Sequence, residues 1–199
     1  MRSGGRSTRG PIESGLTVAP QLTPHVAAAA PADLPELADV AARTFPLACP
    51  ASATEDNIAA FVSEHLSEDR FRGYLTDPDR VVLLARSAEG TVLGYAMLIR
   101  GVPDDPDVQH AVTARPAIEL SKMYVLPDGH GAGVAAALMT TALDRAAELE
   151  LKSIWLGVNQ GNDRAQRFYA KHGFVITGTK SFRLGAAVEN DYVMARPLP

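Results

Sequence analysis

Residues 121–136 combine a run of apolar and β-branched residues, a glycine-rich loop and the start of a helical pattern. A chain with this order places a buried strand directly before a helix N-terminus. The first backbone N–H groups of a helix lack intrahelical partners, and the helix dipole leaves that end partly positive. Glycines in the loop let a charged ligand approach the main chain closely. The segment therefore predicts an α/β protein with a diphosphate-binding loop.

Hydrophobic periodicity predicts the elements around this loop. Two apolar runs, residues 81–85 and 92–99, flank Ala88-Glu89-Gly90, which is typical of an antiparallel hairpin. The predicted strands lie near residues 25–29, 81–85, 92–99, 119–125, 153–158, 174–182 and 191–196, and the helices begin near Asp33, Thr54, Val134 and Asn162, with a further turn or two at 71–75. Residues 102–106 are predicted as a loop. The fold class is therefore α/β (α+β), with a mixed, mostly antiparallel sheet of six to seven strands and about four flanking helices.

Length and composition favour one domain preceded by a tail. The chain has 199 residues and is 46% hydrophobic, which is enough for one full core. Residues 1–21 are rich in Gly, Ser, Arg and Pro and have no apolar periodicity. We expect a disordered tail over residues 1–21 and a folded domain over residues 22–199.

Several classes of partner are disfavoured by charge and composition. The net charge is −4 and the globular part has no basic run, so nucleic acid is not an expected partner. No apolar run approaches the ~20 residues that a membrane span needs. Cys49 is the only cysteine, which suits a reducing compartment. We expect a cytoplasmic protein without a membrane partner, and the sequence leaves open whether it forms a homodimer.

Two families of cofactor site are compatible with the loop alone. The frame Gly131-x-Gly133-x-x-Ala136 fits the dinucleotide fingerprint of a Rossmann unit. That fingerprint needs its first glycine at the strand end and an acidic residue about 20 positions later. Here residues 126–130 intervene, and the next strand ends at Asn159. A dinucleotide is therefore disfavoured.

A second motif identifies the alternative. Residues 162–174 read Asn-x-x-Ala-x-x-Phe-Tyr-x-Lys-x-Gly-Phe, about 30 residues after His130-x-x-Gly133-x-Ala135. Together these motifs closely resemble the GCN5-related N-acetyltransferases (the GNAT family), and the resemblance runs from about residue 24 to the C-terminus. The departure is His130, where the family usually has Arg or Gln.

The resemblance implies acetyl-coenzyme A as co-substrate. Its pantetheine arm would lie along the strand at Met123, Tyr124 and Val125. Its diphosphate would meet the backbone amides of the loop and the first helical turn, namely Gly131, Ala132, Gly133, Val134, Ala135 and Ala136. Asn162 would hold the pantetheine or the acceptor side, and Tyr169 would sit near the sulfur.

Acetyl transfer to an alkylamine needs a base, because an amine with a pKa of about 10.4 is almost fully protonated at neutral pH. Glu119 is the predicted base, since strand alternation would put Glu119, Ser121, Met123 and Val125 on one face, and the family often uses a glutamate here. Some members carry the base on the next strand, where this chain has Gly157, which leaves Glu119 or a water chain. Tyr169 is the predicted acid for the leaving thiolate. We expect direct transfer, with no metal and no acyl-enzyme.

Two further segments of the chain point to the acceptor of the acetyl group. In this family it would lie between residues 43–75 and 183–190, which are rich in carboxylates that would attract a polycation: Glu55, Asp56, Glu64, Glu68, Asp69, Glu189 and the adjacent Asp191. Residues 119–125, 180–185 and 191–194 also look like the bacterial spermidine/spermine acetyltransferases. The expected acceptor is a small-molecule primary amine such as a polyamine. A protein N-terminus or lysine, and a non-catalytic acyl-coenzyme A sensor, stay open.

Overall fold

A computed structural model describes residues 24–50, 52–184 and 187–199. These residues form one seven-stranded sheet with the order β1-β2-β3-β4-β5-β7-β6. All neighbouring strands are antiparallel except β4 and β5. The strands are β1 (His25–Ala28), β2 (Arg80–Arg86), β3 (Val92–Arg100), β4 (Ala117–Val125), β5 (Ser153–Asn159), β6 (Val175–Leu184) and β7 (Ala187–Pro197). The mixed, mostly antiparallel sheet predicted from the sequence is confirmed.

The described residues form six α-helices rather than about four. They are α1 (Leu34–Ala48), α2 (Glu55–His65), α3 (Glu68–Thr76), α4 (Pro106–Ala111), α5 (Val134–Glu148) and α6 (Asp163–Lys171), with single 3₁₀ turns at Pro31–Asp33 and Pro127–Gly129. The segment predicted as an acidic loop leads into α4. There, Asp105 caps the helix by accepting from the backbone N–H groups of Asp107 and Val108, and Pro106 occupies the first helical position.

Cap residues explain where α2 begins and where α6 begins and ends. The Thr54 hydroxyl accepts from the Asn57 N–H at 3.2 Å, and the Asn162 side chain accepts from the Ala165 N–H at 3.0 Å. Gly173, just after α6, has a φ of 83°, which glycine adopts without strain. At the start of α1, by contrast, the N-cap residue Asp33 makes no capping hydrogen bond, and Glu36 does not turn back to the helix end. It accepts instead from the Val92 N–H and from Arg86, which ties α1 to the sheet.

The helices cover both faces of the sheet and create two cores. Helices α1 to α3 pack on one face, where Phe71 and Tyr95 are fully buried. Helix α5 packs on the other face, where α6 adds partly buried side chains including Tyr169. A smaller cluster around Trp155 and Val193 lies beneath α4. Strands β2, β3 and β4 contribute side chains to both main cores, and β4 is the middle strand of the sheet.

A β-bulge in β4 corrects the predicted alternation of side chains. Ladder pairing shifts register between Met97 and Leu98, so Met97 pairs with Lys122 while Leu98 pairs with Leu120. The extra residue, Ser121, reverses the faces that follow it. Glu119 therefore shares the α1–α3 face with Lys122 and Tyr124, whereas Met123 and Val125 pack into the α5 core. The prediction that Glu119, Met123 and Val125 lie on one face is wrong.

The predicted tail, residues 1–21, lies outside the described residues, and the domain boundary at residue 22 stays a prediction. Within the described residues, no helix has the length and apolar character needed to cross a bilayer.

Candidate active site

Strands β4 and β5 separate in the middle of the sheet. Their parallel pairing covers only Ala117, Ile118 and Glu119 on β4. Along its other edge, β5 pairs with β7 over its whole length. Beyond Glu119 the two strands diverge, which leaves a gap between them. The C-terminal half of β4 therefore has an unpaired edge that faces this gap. This gap joins the two faces of the sheet.

The backbone of this open edge offers hydrogen-bonding groups to a ligand. Leu126 donates to the carbonyl of Leu93 at 2.8 Å, which makes that pair a hydrogen-bonded one in the antiparallel ladder. Hydrogen-bonded and non-hydrogen-bonded pairs alternate. The N–H and C=O groups of Tyr124 therefore point to β3, and those of Met123 and Val125 point into the gap. An extended chain of amides, such as a pantetheine arm, fits this edge as an added strand.

The loop after β4 leads to a helix end suited to an anion. Gly131 and Gly133 have φ values of 80° and 79°, and Gly133 is the N-cap of α5. No side chain caps this end, and its first turn contains no acidic residue. The first N–H groups of α5 are thus presented to the exposed loop, as the predicted diphosphate site requires.

His130 lies between the loop and the open edge of β4. Its Nε2 is 3.2 Å from the carbonyl oxygen of Val125, one of the groups that point into the gap. Where the family usually has Arg or Gln, this chain therefore has an exposed ring that contacts the backbone of the ligand-facing edge.

A pocket of about 280 Å³ occupies the gap and opens onto the α1–α3 face. Its lining comes from α1, β4, β5, α6, β6 and β7, among other segments. Of the predicted site residues, it brings together Glu119, Met123, Tyr124, Asn162 and Tyr169. The glycine-rich loop lies outside this lining, at the far end of the open edge. The predicted site is thus extended, with a loop at one end and a pocket at the other.

Two tyrosines meet at the gap from opposite faces. Burial raises the pKa of Tyr169 to about 12, so its hydroxyl stays protonated at neutral pH. Burial also raises the pKa of Tyr124 strongly, and the electrostatic influence of Tyr169, Cys49 and Asp191 adds to the shift. Tyr124 therefore lies close to Tyr169 and is a second phenol at the site.

The side-chain oxygen and nitrogen of Asn162 can serve different purposes, the oxygen as a helix cap and the nitrogen as a donor to a ligand. Its Oδ1 already accepts the N–H of Ala165 as the cap of α6. The amide N–H₂ is the part that remains to donate to a ligand in the pocket. The motif asparagine therefore positions α6, and with it Tyr169, as well as lining the site.

Glu119 is a half-buried carboxylate on the α1–α3 side of the gap. Burial raises its pKa above the usual value, and the cations Lys180, Lys122 and Arg80 oppose the rise. A carboxyl with a raised pKa is a stronger base than one in water. Its position supports the predicted role, although it reaches the site from the face opposite to Met123.

Three further charged residues line the pocket: Lys122, Lys180 and Asp191. The sequence did not single out the two lysines, and it pointed to Asp191 only as one of the acidic residues near the acceptor. Burial lowers the pKa of Lys122 to about 8 and raises that of Asp191. Lys180 and Asp191 are cross-strand partners on β6 and β7. Their convergence depends on strand register between distant segments, for which a single sequence carries no signal.

Gly157 explains why these side chains fit over β5. A Cβ at this position would lie 2.5 Å from Cε of Lys180 and 3.3 Å from Oδ2 of Asp191. The space that a larger residue would take on β5 is filled by side chains from β6 and β7. A carboxylate thus reaches this part of the site from β7.

Most of the predicted acidic surface does not line the pocket. Of the seven carboxylates counted in the sequence, only Asp191 contributes to the lining. Glu189 instead accepts from Ser52 at 2.7 Å. Part of the predicted acceptor segment 183–190 lies outside the described residues.

The remaining wall is aromatic and apolar. The rings of Phe45 and Phe61 stack at 4.3 Å with 6° between their planes, and Tyr124 meets Phe45 edge-on at 6.4 Å. Cys49 lies on this wall, and burial raises the pKa of its thiol. The thiolate is therefore disfavoured, which makes Cys49 a poor nucleophile. No group of three or more metal-ligating side chains occurs in the described part of the chain.

Comparison with known proteins gives a consistent result. The profile of the acetyltransferase (GNAT) family matches residues 37–174. An uncharacterized N-acetyltransferase of Mycobacterium tuberculosis is 58% identical over 166 residues, which cover 83% of this chain and 98% of that protein.

Two solved structures share the fold at low identity. The PaiA N-acetyltransferase of Thermoplasma acidophilum, in complex with coenzyme A, has a TM-score of 0.69 at 18% identity and covers 88% of this chain and 99% of its own. A spermidine N-acetyltransferase chimera that includes Vibrio cholerae sequence has a TM-score of 0.62 at 20% identity, covering 87% and 95% of the two chains.

Proposed function

The chain belongs to the acetyltransferase (GNAT) family and is an acetyl-coenzyme A-dependent N-acetyltransferase, and we propose that its acceptor is the primary amine of a small molecule. We further propose that the acetyl group passes directly to the amine in the pocket between β4 and β5, with Glu119 as base and Tyr169 as hydrogen-bond donor to the leaving sulfur.

The single observation that carries this proposal is the pocket itself. It lies where β4 leaves β5, and Glu119 and Tyr169 line it from opposite faces of the sheet. At about 280 Å³, it suits a compact acceptor enclosed on several sides. A base on one side of a small cavity and a hydrogen-bond donor on the other suit proton removal from the acceptor and stabilisation of the charge that develops on the leaving sulfur.

The residues of the open edge and the loop fit the co-substrate. Met123 and Val125 would hold the pantetheine amides through their backbone groups, and the α5 N-terminus would hold the diphosphate. When bound, acetyl-coenzyme A supplies an acetyl thioester, which is activated for attack by an amine. Asn162 would donate from its side-chain amide near the middle of the site.

Glu119 provides the base because an ammonium cannot attack. Its burial lets the carboxyl hold a proton at a higher pH than a free carboxyl does, so it accepts a proton more readily from the acceptor. Asp191 lines the same pocket and is the other carboxylate that could receive this proton, directly or through water.

Tyr169 holds a proton at the other side of the reacting atoms. Its hydroxyl is neutral throughout the physiological range, because burial raises its pKa to about 12. It can therefore donate a hydrogen bond to negative charge that develops on a leaving sulfur. Cys49 is not required, which agrees with direct transfer.

An amine panel followed by thiol release tests the proposal. We expect thiol release that depends on a small primary amine and produces the N-acetylated amine in equal amount. Release with peptides alone would favour a protein N-terminus or lysine as acceptor. Coenzyme A binding without release on any amine would favour an acyl-coenzyme A sensor. The polyamine suggested by the sequence is one member of this panel.

A further inference from the structure

Four charged side chains line the pocket: Glu119, Lys122, Lys180 and Asp191. Among the described residues, none of the four side chains forms a hydrogen bond or an ion pair with another. Arg80, the next cation, differs from them, since it forms an ion pair with Asp77 at 2.8 Å. Of the four, Lys122 lies near the face of the Tyr74 ring, with its Nζ 6.0 Å from the ring centroid. The pocket thus contains two cations and two anions that are not neutralised by direct contact.

These charges are withdrawn from solvent. Asp191 is 8% exposed, and the other three side chains are half-buried. A charge that leaves water without a partner costs folding free energy. A ligand that carries charged groups of both signs would pair with these side chains and so bind favourably in this cavity.

Each wall of the gap carries one positively charged and one negatively charged side chain. Lys180 and Asp191 lie together over Gly157, on the β5–β7–β6 side. Glu119 and Lys122 project from β4 on the other side, and each influences the pKa of the other. A ligand between these walls meets a cation and an anion on each side.

A polyamine does not complement this lining. One ammonium could approach Glu119 or Asp191, but further ammonium groups within the same small pocket would face Lys122 and Lys180. Like charges held close together in a half-buried site repel strongly. Apart from Asp191, the acidic residues that the sequence suggested for a polycation do not line this pocket.

Besides its charged side chains, the pocket has an apolar wall. Stacked Phe45 and Phe61, with Cys49 and Pro50, cover one side. Apolar surface on the acceptor would be buried here, which stabilises binding in proportion to the area removed from water. The lining is therefore complementary to a molecule that combines a positive group, a negative group and an apolar body.

We propose that the acceptor is a small amino-carboxylate with an apolar body, whose amine faces Glu119 and Asp191 and whose carboxylate pairs with Lys122 and Lys180. This inference rests on the proposed function and narrows its substrate class. It assigns Lys122 and Lys180 to recognition of the acceptor rather than to the chemical step.

Matched acceptors provide the test. Phenylalanine, phenylalaninamide and phenethylamine share an aromatic body and a primary amine, and only the first has a carboxylate. We expect kcat/KM for phenylalanine to exceed that of each analogue, and that of spermidine, by at least tenfold in a thiol-release assay. In Lys180→Met the preference should fall at least fivefold, mainly through KM, whereas the exposed control Lys152→Met should keep it.

A second measurement does not depend on turnover. N-acetylphenylalanine, which has the product's carboxylate, should bind the wild type at least fivefold more tightly than it binds Lys180→Met in calorimetric titrations. N-acetylphenethylamine should bind weakly to both proteins, and equal binding of the two ligands to the wild type would overturn the inference.

The outcomes separate this inference from the proposed function. Equal or better turnover of phenethylamine or spermidine would overturn the amino-carboxylate acceptor while leaving the transferase intact. A preference for succinyl-coenzyme A over acetyl-coenzyme A that depends on Lys180 would place the carboxylate on the acyl group and also overturn it. Coenzyme A binding without release on any amine would refute the proposed function itself.

Discussion

Replacing Tyr169 with phenylalanine removes one hydroxyl from the site and leaves the surrounding packing in place. The ring packs edge-on against Phe168 at 5.6 Å and at a tilt against Phe174 at 5.9 Å, and phenylalanine preserves both contacts. We therefore expect Tyr169→Phe to fold normally and to bind coenzyme A with unchanged affinity. Its effect should appear in turnover.

The size of the effect follows from the burial of the hydroxyl. The pKa of Tyr169 is about 12, whereas that of an alkyl thiol is about 8.5. Complete proton transfer from Tyr169 to a thiolate would be uphill by roughly 3.5 units, which is roughly 5 kcal/mol. Tyr169 should therefore act by donating a hydrogen bond. A hydrogen bond to a charged group contributes about 1.5–3 kcal/mol, so we expect kcat to fall by roughly 10- to 100-fold.

Steady-state thiol release and calorimetric coenzyme A binding measure the two quantities separately. Tyr192→Phe is the matched control, because Tyr192 is partly buried in the α5 core and does not line the pocket. The wild type should also show no Tyr169-dependent loss of kcat up to about pH 10, given the raised pKa. An unchanged kcat in Tyr169→Phe would refute the donor role, and a loss of about 10⁴-fold would refute the hydrogen-bond reasoning in favour of full transfer.

Three further predictions concern the charges and the open edge. Glu119→Gln should lower kcat/KM most at neutral pH and below, with a deficit that shrinks as pH approaches the pKa of the amine; a deficit independent of pH would point to solvent as the base. Lys122→Met should be more stable than the wild type at pH 7 by up to about 3 kcal/mol, because the pKa of Lys122 falls from 10.5 to about 8 on folding. The ammonium is disfavoured in the folded state, so wild-type stability should rise between about pH 8 and 10, and urea titrations should show this rise reduced in the variant. In Gly94→Ala the new Cβ would lie 2.6 Å from the carbonyl oxygen of Tyr124, so the backbone of β4 shifts. We expect a loss of about 1–3 kcal/mol and weaker coenzyme A binding, measured by thermal melts with and without ligand, and a melt identical to the wild type would contradict the close approach.

The fold was predictable because its signals are local. Alternating apolar runs marked the strands, and Thr54, Asn162 and Gly173 marked helix ends by their chemistry. Helix α4 was missed because Pro106 was interpreted as part of a loop, although proline is well suited to a first helical turn.

The geometry of the site was less predictable, because it depends on a bulge and on long-range register. The apolar residues Ile118, Leu120, Met123 and Val125 face one core, and the step of three between Leu120 and Met123 was a local sign of the extra residue. The motif residues Asn162 and Tyr169 carried enough information to locate the pocket. The convergence of Lys180 and Asp191 over Gly157 comes from pairing among β5, β7 and β6, which the residues of any one strand do not encode.

The most direct test of the account is to follow a deuterium-labelled acetyl group from acetyl-coenzyme A in a single turnover with an amine acceptor. Acid quenching and mass spectrometry then report the label on the amine and on the intact protein. We predict one labelled N-acetyl product for each thiol released and no label on the protein at any time. Label on the protein that passes to the amine would contradict direct transfer, and thiol release without an N-acetyl product would contradict an amine acceptor.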